Sequence, residues 1–361
     1  MTTSDRVGAV GRGAQISPPN RFQRIYVEDA FDQVEHDDDF LRSQSSPRTQ
    51  YYVDDAQSIV TKNDSPDIPF NYSLNAYRGC THGCAYCYAR PTHEYLGLSA
   101  GLDFETKIFV KQRAPQLLSE FLAGPRWMPE AITMSGVTDC YQPAERHFQL
   151  TRQCLAVALA ARQPMTVITK NALILRDIDI LREMAELKLI HVALSITSLD
   201  QSLTRLLEPR TSAPAARLRA VSELSAAGVP VLVMMAPLIP GLTDDEMAAI
   251  LQAAAEHGAT SAAYTMLRLP LTVRPVFLDW LEQHAPTKKQ RVEGLLRSIR
   301  DGQLTNSEFG SRMRGTGIMA DQITQLFRML KKKHHLDRQL PPLDASRFTP
   351  PVAPGGQMML F

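Results

Sequence analysis

Three cysteines lie close together in the sequence YRGCTHGCAYCYAR, which covers residues 77–90 of this 361-residue chain. Cys80, Cys84 and Cys87 are three of only five cysteines in the chain. Cysteine thiolate is a soft ligand that suits zinc or iron–sulfur clusters. The CxxxCxxC spacing therefore predicts a metal centre with three cysteine ligands.

Either kind of centre takes a fourth ligand. Structural zinc sites use four protein ligands, usually as two separated pairs, and iron–sulfur clusters also use four ligands, commonly all Cys. His82 or His93 could complete a zinc site, although a Cys3His site within one short loop is geometrically awkward. With three protein ligands, an iron–sulfur cluster leaves one iron open to a reacting molecule.

The composition favours a cytoplasmic globular protein. The apolar fraction of 44% is ordinary for such proteins. Residues 1–15 lack the apolar run of a secretory signal. The nearly apolar residues 229–240 are too short to cross a bilayer, so we expect no membrane association. An odd number of clustered cysteines does not resemble a disulfide framework.

Apolar, β-branched runs alternate with helical patterns after residue 65, which is typical of βα units around a parallel sheet. We predict six strands, within residues 71–77, 131–136, 165–170, 191–196, 230–237 and 262–267. The spacing of Thr243 and Glu246 predicts a capping box at the start of one helix. Right-handed crossovers wind such units into an open sheet or a full or partial barrel.

The cysteine spacing, with the aromatic Tyr86 before the last cysteine, resembles the cluster loop of the radical S-adenosylmethionine (SAM) superfamily. The loop follows the first predicted strand, as in that superfamily. The sequences TDCYQPAER at 138–146, VITKN at 167–171 and EPRTSAPAARL from 208 resemble the spore photoproduct lyase-related group. They are more similar to its uncharacterised cytoplasmic relatives than to the lyase.

The resemblance implies an α/β fold built as a partial (βα)6 TIM-like barrel at residues 66–300. We expect an irregular N-terminal extension at 1–65, a helical C-terminal region at 301–340, and a Pro/Gly-rich linker with a terminal peptide at 341–361. It also implies two cofactors, a [4Fe-4S] cluster on Cys80, Cys84 and Cys87, and SAM on the fourth iron. The electron that cleaves SAM to a 5′-deoxyadenosyl radical would come from a flavodoxin- or ferredoxin-type donor.

The same resemblance suggests which residues bind SAM. Many relatives carry Gly-Gly-Glu after the second strand; this chain has MSGVTD, in which Ser135, Gly136 and Asp139 are the available substitutes. Asp139 could equally cap the next helix. Lys170 could face the methionine carboxylate or extend to solvent.

Three further residues complete the candidate site. Ser195 could touch the ribose or be an ordinary strand hydroxyl. Arg210 could pair with the SAM carboxylate in the bidentate geometry that Arg favours. Cys140 is the catalytic candidate, since a thiol there could donate hydrogen to a substrate radical; the alternative is a small apolar core residue.

Charge and the C-terminus suggest partners. Residues 286–349 contain thirteen Lys or Arg against six Asp or Glu, an excess that could meet DNA phosphates or form a solvated helix face. The last five residues, QMMLF, resemble the peptide by which repair proteins dock in the bacterial sliding clamp, through Gln357, Leu360 and Phe361. An end that packs on its own domain is the alternative.

These features of the sequence suggest two alternative functions, one catalytic and one non-catalytic. The first is a radical SAM enzyme acting on an unidentified substrate, with DNA repair-like chemistry as one option. The second is a non-catalytic iron–sulfur module recruited to DNA or the sliding clamp. SAM cleavage by the reduced, cluster-bearing protein distinguishes them.

Overall fold

A mainly parallel β-sheet lies at the centre of the computed structural model, which describes residues 11–22 and 48–352. The strands, in chain order, are β1 (Gln50–Val53), β2 (Val60–Lys62), β3 (Tyr72–Leu74), β4 (Tyr77–Arg78), β5 (Lys107–Val110), β6 (Ile132–Met134), β7 (Met165–Thr169), β8 (Ile190–Ser195), β9 (Val231–Leu238) and β10 (Ser261–Met266). The main sheet has the order β10-β9-β8-β7-β6-β3-β2. All neighbours in it are parallel except β2 and β3.

Helices follow most of the sheet strands. In chain order they are α1 (Leu102–Thr106), α2 (Ala114–Leu122), α3 (Glu145–Phe148), α4 (Leu150–Ala160), α5 (Ile178–Glu186), α6 (Gln201–Leu207), α7 (Pro214–Ala226), α8 (Met247–Glu256), α9 (Val273–His284), α10 (Pro286–Ser298) and α11 (Gly317–Lys333). Short 3-10 helices cover Arg90–Leu96, Ala172–Asp177 and Asp244–Glu246. The mixed α/β fold with a parallel sheet that the sequence predicted is confirmed.

Burial explains why the central strands have few polar residues. Five of the six residues of β8 are buried, as expected for a central strand of a parallel sheet that is covered on both faces. β7 alternates between buried and half-buried residues. Leu194 and Val233, partners in neighbouring strands, belong to one large apolar cluster that joins the sheet to its helices.

The predicted strands and helices are found at the expected places, with three differences. β1 and β2 lie in residues 48–65, where we predicted irregular chain. β1, β5 and β4 form a second sheet of three strands. The helical sequence pattern of residues 145–162 is divided into α3 and α4 at Gln149, whose φ is 52°.

The predicted capping box at Thr243 is wrong. The Thr243 hydroxyl instead accepts a hydrogen bond from Ile239 N at 3.0 Å. The Glu246 carboxylate accepts hydrogen bonds from the Ser198 hydroxyl and from Leu199 N, the latter at 2.6 Å. A tertiary contact with the loop after β8 thus takes the side chain that the local motif would have used.

The strands bring their following loops to one edge. The carboxyl ends of parallel strands meet at the same edge of a sheet, where ligands usually bind. Residues 135–140, 170–171 and 196–200 follow β6, β7 and β8 in this way. Residues 79–89 come shortly after β3 of the same sheet, beyond the short β4 of the second sheet. Within residues 11–22 and 48–352, no helix is long and apolar enough to cross a membrane.

Candidate metal and cofactor site

The cysteine loop is a succession of tight turns directly after β4. Gly79 and Gly83 have φ values of 78° and 66°, which an L-residue rarely adopts. Main-chain N–H groups of Gly83 and Cys87 donate to the carbonyls of Cys80 and Cys84, three residues earlier in each case. Cys80 and Cys84 are buried, and Cys87 is half-buried. The loop therefore holds its three thiols on a fixed backbone.

Arg90 fixes this backbone from the inside. Its fully buried guanidinium donates to the Cys84 carbonyl at 2.8 Å and to the Gly83 carbonyl at 3.3 Å. It also pairs with the Glu105 carboxylate at 2.6 Å. A planar guanidinium presents five N–H donors in a fixed fork, whereas a lysine ammonium presents three from a single nitrogen. A buried ion pair thus anchors the cysteine loop.

Tyr86 fixes the loop from the other side. Its hydroxyl donates to the carboxylate of Glu208, which also accepts from the Thr197 hydroxyl at 2.7 Å. Arg217 pairs with the same carboxylate and donates to the Ser195 carbonyl at 3.0 Å. Burial acts to raise the pKa of Glu208, but Arg217, Lys170 and the hydrogen bonds outweigh it and lower the pKa to about 2. Glu208 is therefore ionised.

The sequence MSGVTDC forms the loop after β6. Ser135, with a φ of 97°, donates through its hydroxyl to the Ile168 carbonyl at 2.6 Å and accepts from Cys140 N at 3.2 Å. Gly136 has a φ of 117°, and its carbonyl accepts from the Tyr88 hydroxyl. The loop is thus connected both to β7 and to the cysteine loop.

Asp139 joins the cysteine loop to the end of β7. Its carboxylate accepts from Lys170 N at 2.8 Å and from the Thr169 hydroxyl at 2.7 Å, and it lies 3.4 Å from His82 Nδ1. It also caps the following turn at Tyr141 N. Burial acts to raise the pKa of Asp139, but His82 and the hydrogen bonds lower it to about 2.

Lys170 extends from the end of β7 into the site. Its ammonium donates to the Ala236 carbonyl of β9 at 3.0 Å and lies 5.8 Å from the centre of the Tyr86 ring. Its charge also acts on the pKa values of Cys84 and Glu208. Lys170 is half-buried between the cysteine loop and the sheet and does not extend into solvent.

Ser195 and Arg210 lie in different surroundings. Ser195 is buried at the end of β8. The Arg210 main-chain N–H donates to the His82 carbonyl at 3.3 Å, but its exposed side chain donates to the Gly11 carbonyl at 3.1 Å. The structure thus brings Ser135, Gly136, Asp139 and Lys170 together, while the Arg210 guanidinium contacts the N-terminal segment.

Cys140 and Cys154 are both buried in the apolar core. The Cys140 thiol lies 3.9 Å from the Ile168 carbonyl. Burial raises the pKa of Cys140 well above its ordinary value, so the thiol is neutral. A neutral thiol is the form that a hydrogen-atom donor requires, and it is also the form of a core residue.

The two candidate histidines have several partners, and the Cys80 thiol is one of those of His82. His82 faces Asp139 through Nδ1 and lies 3.2 Å from the Asn171 amide nitrogen through Nε2. His93 lies 3.0 Å from the Lys107 carbonyl through Nε2 and packs against Phe104. Among the residues described, no group of three His, Cys, Asp or Glu side chains is arranged to hold a single metal ion. Both ring nitrogens of His82 and the Nε2 atom of His93 thus already have partners.

Sequence reasoning missed the residues that hold the loop in place, namely Arg90, Glu105, Glu208 and Arg217. All four are completely or almost completely buried. Charged side chains rarely occur in a core unless paired. Arg90 pairs with Glu105, 15 residues away, and Arg217 pairs with Glu208, 9 residues away. Neither separation is that of a contact along a helix, so no local sequence pattern indicates these pairs.

Comparison with known families gives one domain match. The Radical SAM superfamily matches residues 74–254, which include the cysteine loop and β6–β9. An uncharacterized protein of Mycobacterium tuberculosis is 37% identical over 232 residues, covering 64% of this chain and 68% of that protein. An uncharacterized protein of Methanocaldococcus jannaschii is 30% identical over 175 residues, covering 48% of this chain and 63% of that protein.

Solved structures of spore photoproduct lyase share the fold. One, complexed with dinucleoside spore photoproduct, has a TM-score of 0.57 at 16% identity and covers 79% of this chain and 78% of that chain. A mutant of the same lyase has a TM-score of 0.58 at 16% identity, covering 88% and 86%. These neighbours and the uncharacterized relatives agree with the group that the sequence resembled.

The family match spans half of the chain and includes the loop and strands described above. Members of this family use a [4Fe-4S] cluster and SAM for radical chemistry, and such enzymes need a reductant. The non-catalytic alternative is not favoured by these findings. The chain therefore belongs to the radical SAM superfamily and is a radical SAM enzyme.

Proposed function

We propose that Cys80, Cys84 and Cys87 hold the [4Fe-4S] cluster and that SAM binds beside them, at the carboxyl edge of the sheet. One observation carries this proposal: a buried arginine and a buried tyrosine fix the cysteine loop from two sides. Arg90 binds the carbonyls of Gly83 and Cys84, and Tyr86 binds Glu208. A site whose supporting residues are themselves locked is prepared for its ligand before the ligand arrives.

When bound, the cluster supplies the electron that cleaves SAM to methionine and a 5′-deoxyadenosyl radical. The residues of this chain orient SAM and exclude water. We assign the methionine end of SAM to Lys170 and to the loop of Ser135, Gly136 and Asp139, and the ribose to Ser195. Water exclusion is supported by burial, since Cys80 and Cys84 are 6% and 7% exposed. A dry site strengthens electrostatic interactions within it.

Arg210 differs from the other proposed SAM-binding residues because its guanidinium is bonded elsewhere, to the Gly11 carbonyl. We retain it as a candidate for the SAM carboxylate because its main chain is bonded to His82 in the cysteine loop. Its side chain would have to leave Gly11 to reach that loop. Cys140 remains the candidate hydrogen donor to a substrate radical.

We propose nucleic acid, in a repair-like reaction, as the substrate class. The basic excess of residues 286–349 supports this, since Lys and Arg neutralise phosphates. In that region Arg312 lies 4.4 Å above the ring of Phe309, which is 60% exposed. Tyr88, next to Cys87, is also 54% exposed. Exposed rings near arginines are typical of surfaces on which unpaired bases stack.

The proposed partners are an electron donor of the flavodoxin or ferredoxin type and the sliding clamp. The clamp-binding residues Gln357, Leu360 and Phe361 lie outside the residues that the structure describes. Such partners and such cofactors support a proposed cytoplasmic location.

The test is anaerobic reconstitution with iron and sulfide, followed by reduction with dithionite in the presence of SAM. We expect iron in the protein and 5′-deoxyadenosine among the products. Deuterated single-stranded DNA, duplex DNA and RNA are then supplied in turn, and deuterium in 5′-deoxyadenosine identifies the substrate. SAM cleavage without deuterium transfer from any nucleic acid would reject the substrate class but not the enzyme. Iron-loaded protein that leaves SAM intact would reject the enzyme mechanism.

A further inference from the structure

The N-terminal residues 11–22, which we call the strap, lie against the outside of the cysteine loop. Arg12, Ala14 and Asn20 in the strap are 3%, 0% and 5% exposed. Such burial is unexpected for a polar lead-in without a helix or strand. The strap is therefore partly interior: residues 12–14, 18 and 20 are buried, while residues 11, 17, 19, 21 and 22 are exposed.

Two glycines allow this close packing. A Cβ atom on Gly13 would overlap the Gly83 carbonyl oxygen and lie 2.9 Å from Ala85 N, so the strap touches the cysteine loop backbone to backbone. A Cβ atom on Gly101 would overlap the Ile16 carbonyl oxygen and lie 2.7 Å from the Ser17 Cα atom. No side chain larger than hydrogen fits at either position while the strap is in place.

Hydrogen bonds connect the strap to the anchor of the cysteine loop. The Glu105 carboxylate accepts from Gly13 N at 3.2 Å and from Ala14 N at 2.7 Å. The same carboxylate pairs with Arg90, which binds the Cys84 carbonyl. The Glu105 carboxylate thus connects the strap to Arg90, and Arg90 in turn binds the backbone of Cys84, a predicted cluster ligand.

The strap is also attached at both ends. At one end Arg12 donates to the Glu105 carbonyl at 3.0 Å, and Arg210 donates to the Gly11 carbonyl. At the other end the Asn20 amide donates to the carbonyls of Glu94 and Leu98, at 2.9 and 3.1 Å. The segment is therefore closed at both ends.

We propose that the strap is a fixed cover on the cysteine loop, and that Glu105 and Arg90 couple it to the ligand backbone. In this arrangement Glu105 and Arg90 are positioning residues, and the cover limits the access of oxygen and water to the bound cluster. The effect on the cluster rests on the proposed function, whereas the closed strap itself does not. Charge-assisted hydrogen bonds to buried carboxylates are among the stronger ones, so opening is rare in the native chain.

The test uses two glycine variants and a matched control in the full chain. Gly13→Ala and Gly101→Ala both displace the strap, from opposite sides, and neither changes a proposed ligand or anchor. Gly294→Ala is the control, because a Cβ atom at Gly294 on α10 would meet nothing within 4 Å.

The first readout needs no cluster. Trypsin cleaves after arginine, and Arg12 is 3% exposed. Mass spectrometry should show that both glycine variants are cleaved after Arg12 on the order of tenfold faster than the wild type and Gly294→Ala. This factor corresponds to the loss of one charge-assisted hydrogen bond between the strap and the rest of the protein. In the wild type, the amides of Gly13 and Ala14, which donate to Glu105, should resist hydrogen exchange as strongly as those of the cysteine loop. Fast exchange there would overturn the cover without any variant.

The second readout is the survival of the reconstituted cluster in air, followed by its visible absorbance and by iron retained. We expect bleaching on the order of tenfold faster in both glycine variants, in proportion to strap opening. Unchanged bleaching in variants that are cleaved after Arg12 would overturn the protective role. If Cys80→Ala binds as much iron as the wild type, the ligand assignment fails instead, and cleavage after Arg12 still decides whether the strap is closed.

Discussion

The Arg90 guanidinium holds the main-chain carbonyl of Cys84 through two donors, Nε at 3.1 Å and Nη2 at 2.8 Å. The second cysteine of the loop is thus positioned by its backbone, and its thiol remains available to bind metal. Two further carbonyls, those of Ala100 and Gly101, accept from Nη1 of the same guanidinium at 3.1 Å. One side chain therefore organises the chain on both sides of the loop.

Replacing Arg90 should loosen the cysteine loop. In Arg90→Lys a single ammonium cannot replace the several donors of the planar guanidinium. Several buried carbonyls therefore lose their hydrogen-bond donor, at a cost of about 1–3 kcal/mol each. We expect a lower unfolding temperature and less iron bound after reconstitution. Arg78→Lys is the control, because Arg78 is an exposed residue paired with Asp54 at 2.6 Å. Wild-type iron content in Arg90→Lys would contradict the anchoring role.

The five cysteines should divide into two groups on mutation. Cys80→Ala, Cys84→Ala and Cys87→Ala should lose most of the bound iron and all SAM cleavage, because each removes a proposed ligand. Cys154→Ala should retain both, since Cys154 is buried on α4 within the apolar core. Iron analysis and visible absorbance after anaerobic reconstitution provide the measurement. Full iron in a ligand variant would reject that ligand.

Cys140→Ala tests the hydrogen-donor assignment separately. Cluster content should match the wild type, because Cys140 is bonded to Ser135 and Ile168 and not to the loop of ligands. If the thiol donates hydrogen to a substrate radical, the products should change while 5′-deoxyadenosine still forms. Unchanged products and turnover would leave Cys140 as a core residue.

Glu208→Gln should destabilise the protein in a pH-dependent way. The substitution leaves Arg217 buried without its counter-ion, which typically costs about 3–5 kcal/mol. The pKa of Glu208 is lowered in the fold, from 4.5 to about 2. Its stabilising contribution is therefore complete above the unfolded value and is lost as the pH falls through the folded value.

Thermal unfolding of both proteins across this range gives the measurement. The wild type should unfold at a clearly higher temperature at about pH 7, and the difference should shrink as the pH falls from about 4.5 towards 2. A difference that stays constant with pH would show that the carboxylate charge is not what stabilises the loop.

Lys170→Met should weaken SAM binding. Removal of a cation that meets a carboxylate costs about 1.5–3 kcal/mol, so Kd should rise about tenfold or more. Lys62→Met is the control, because Lys62 is exposed at the edge of the sheet. Equilibrium binding of SAM to the cluster-bearing protein is the measurement. Unchanged affinity would assign Lys170 to holding the Ala236 carbonyl alone.

The C-terminal peptide is tested by removing residues 357–361. Immobilised bacterial sliding clamp should retain the full chain and release the shortened one, because the apolar end would no longer fill the clamp pocket. The Phe361→Ala variant should behave like the deletion. Equal retention of all three proteins would reject clamp binding through this peptide.

The sequence by itself determined the parallel α/β fold and the position of the cysteine loop after a strand. Both follow from local features of the sequence: short apolar runs, helical periods and three cysteines within eight residues. It did not predict the strap, since residues 11–22 have no apolar period and their burial depends on glycine contacts with residues 83 and 101.

Only the tertiary structure decided which charges lie inside the protein. Glu105 and Arg90 read as ordinary polar residues of a loop, and Glu208 and Arg217 as residues around a turn and helix. They become anchors because the fold removes them from water, where a charge must find a partner. For Arg210 the sequence suggested a role that does not match the contact its side chain makes in the fold. Its sequence context resembles a cofactor site, but its guanidinium contacts the Gly11 carbonyl. The direction of a loop side chain depends on which other parts of the chain pack beside it.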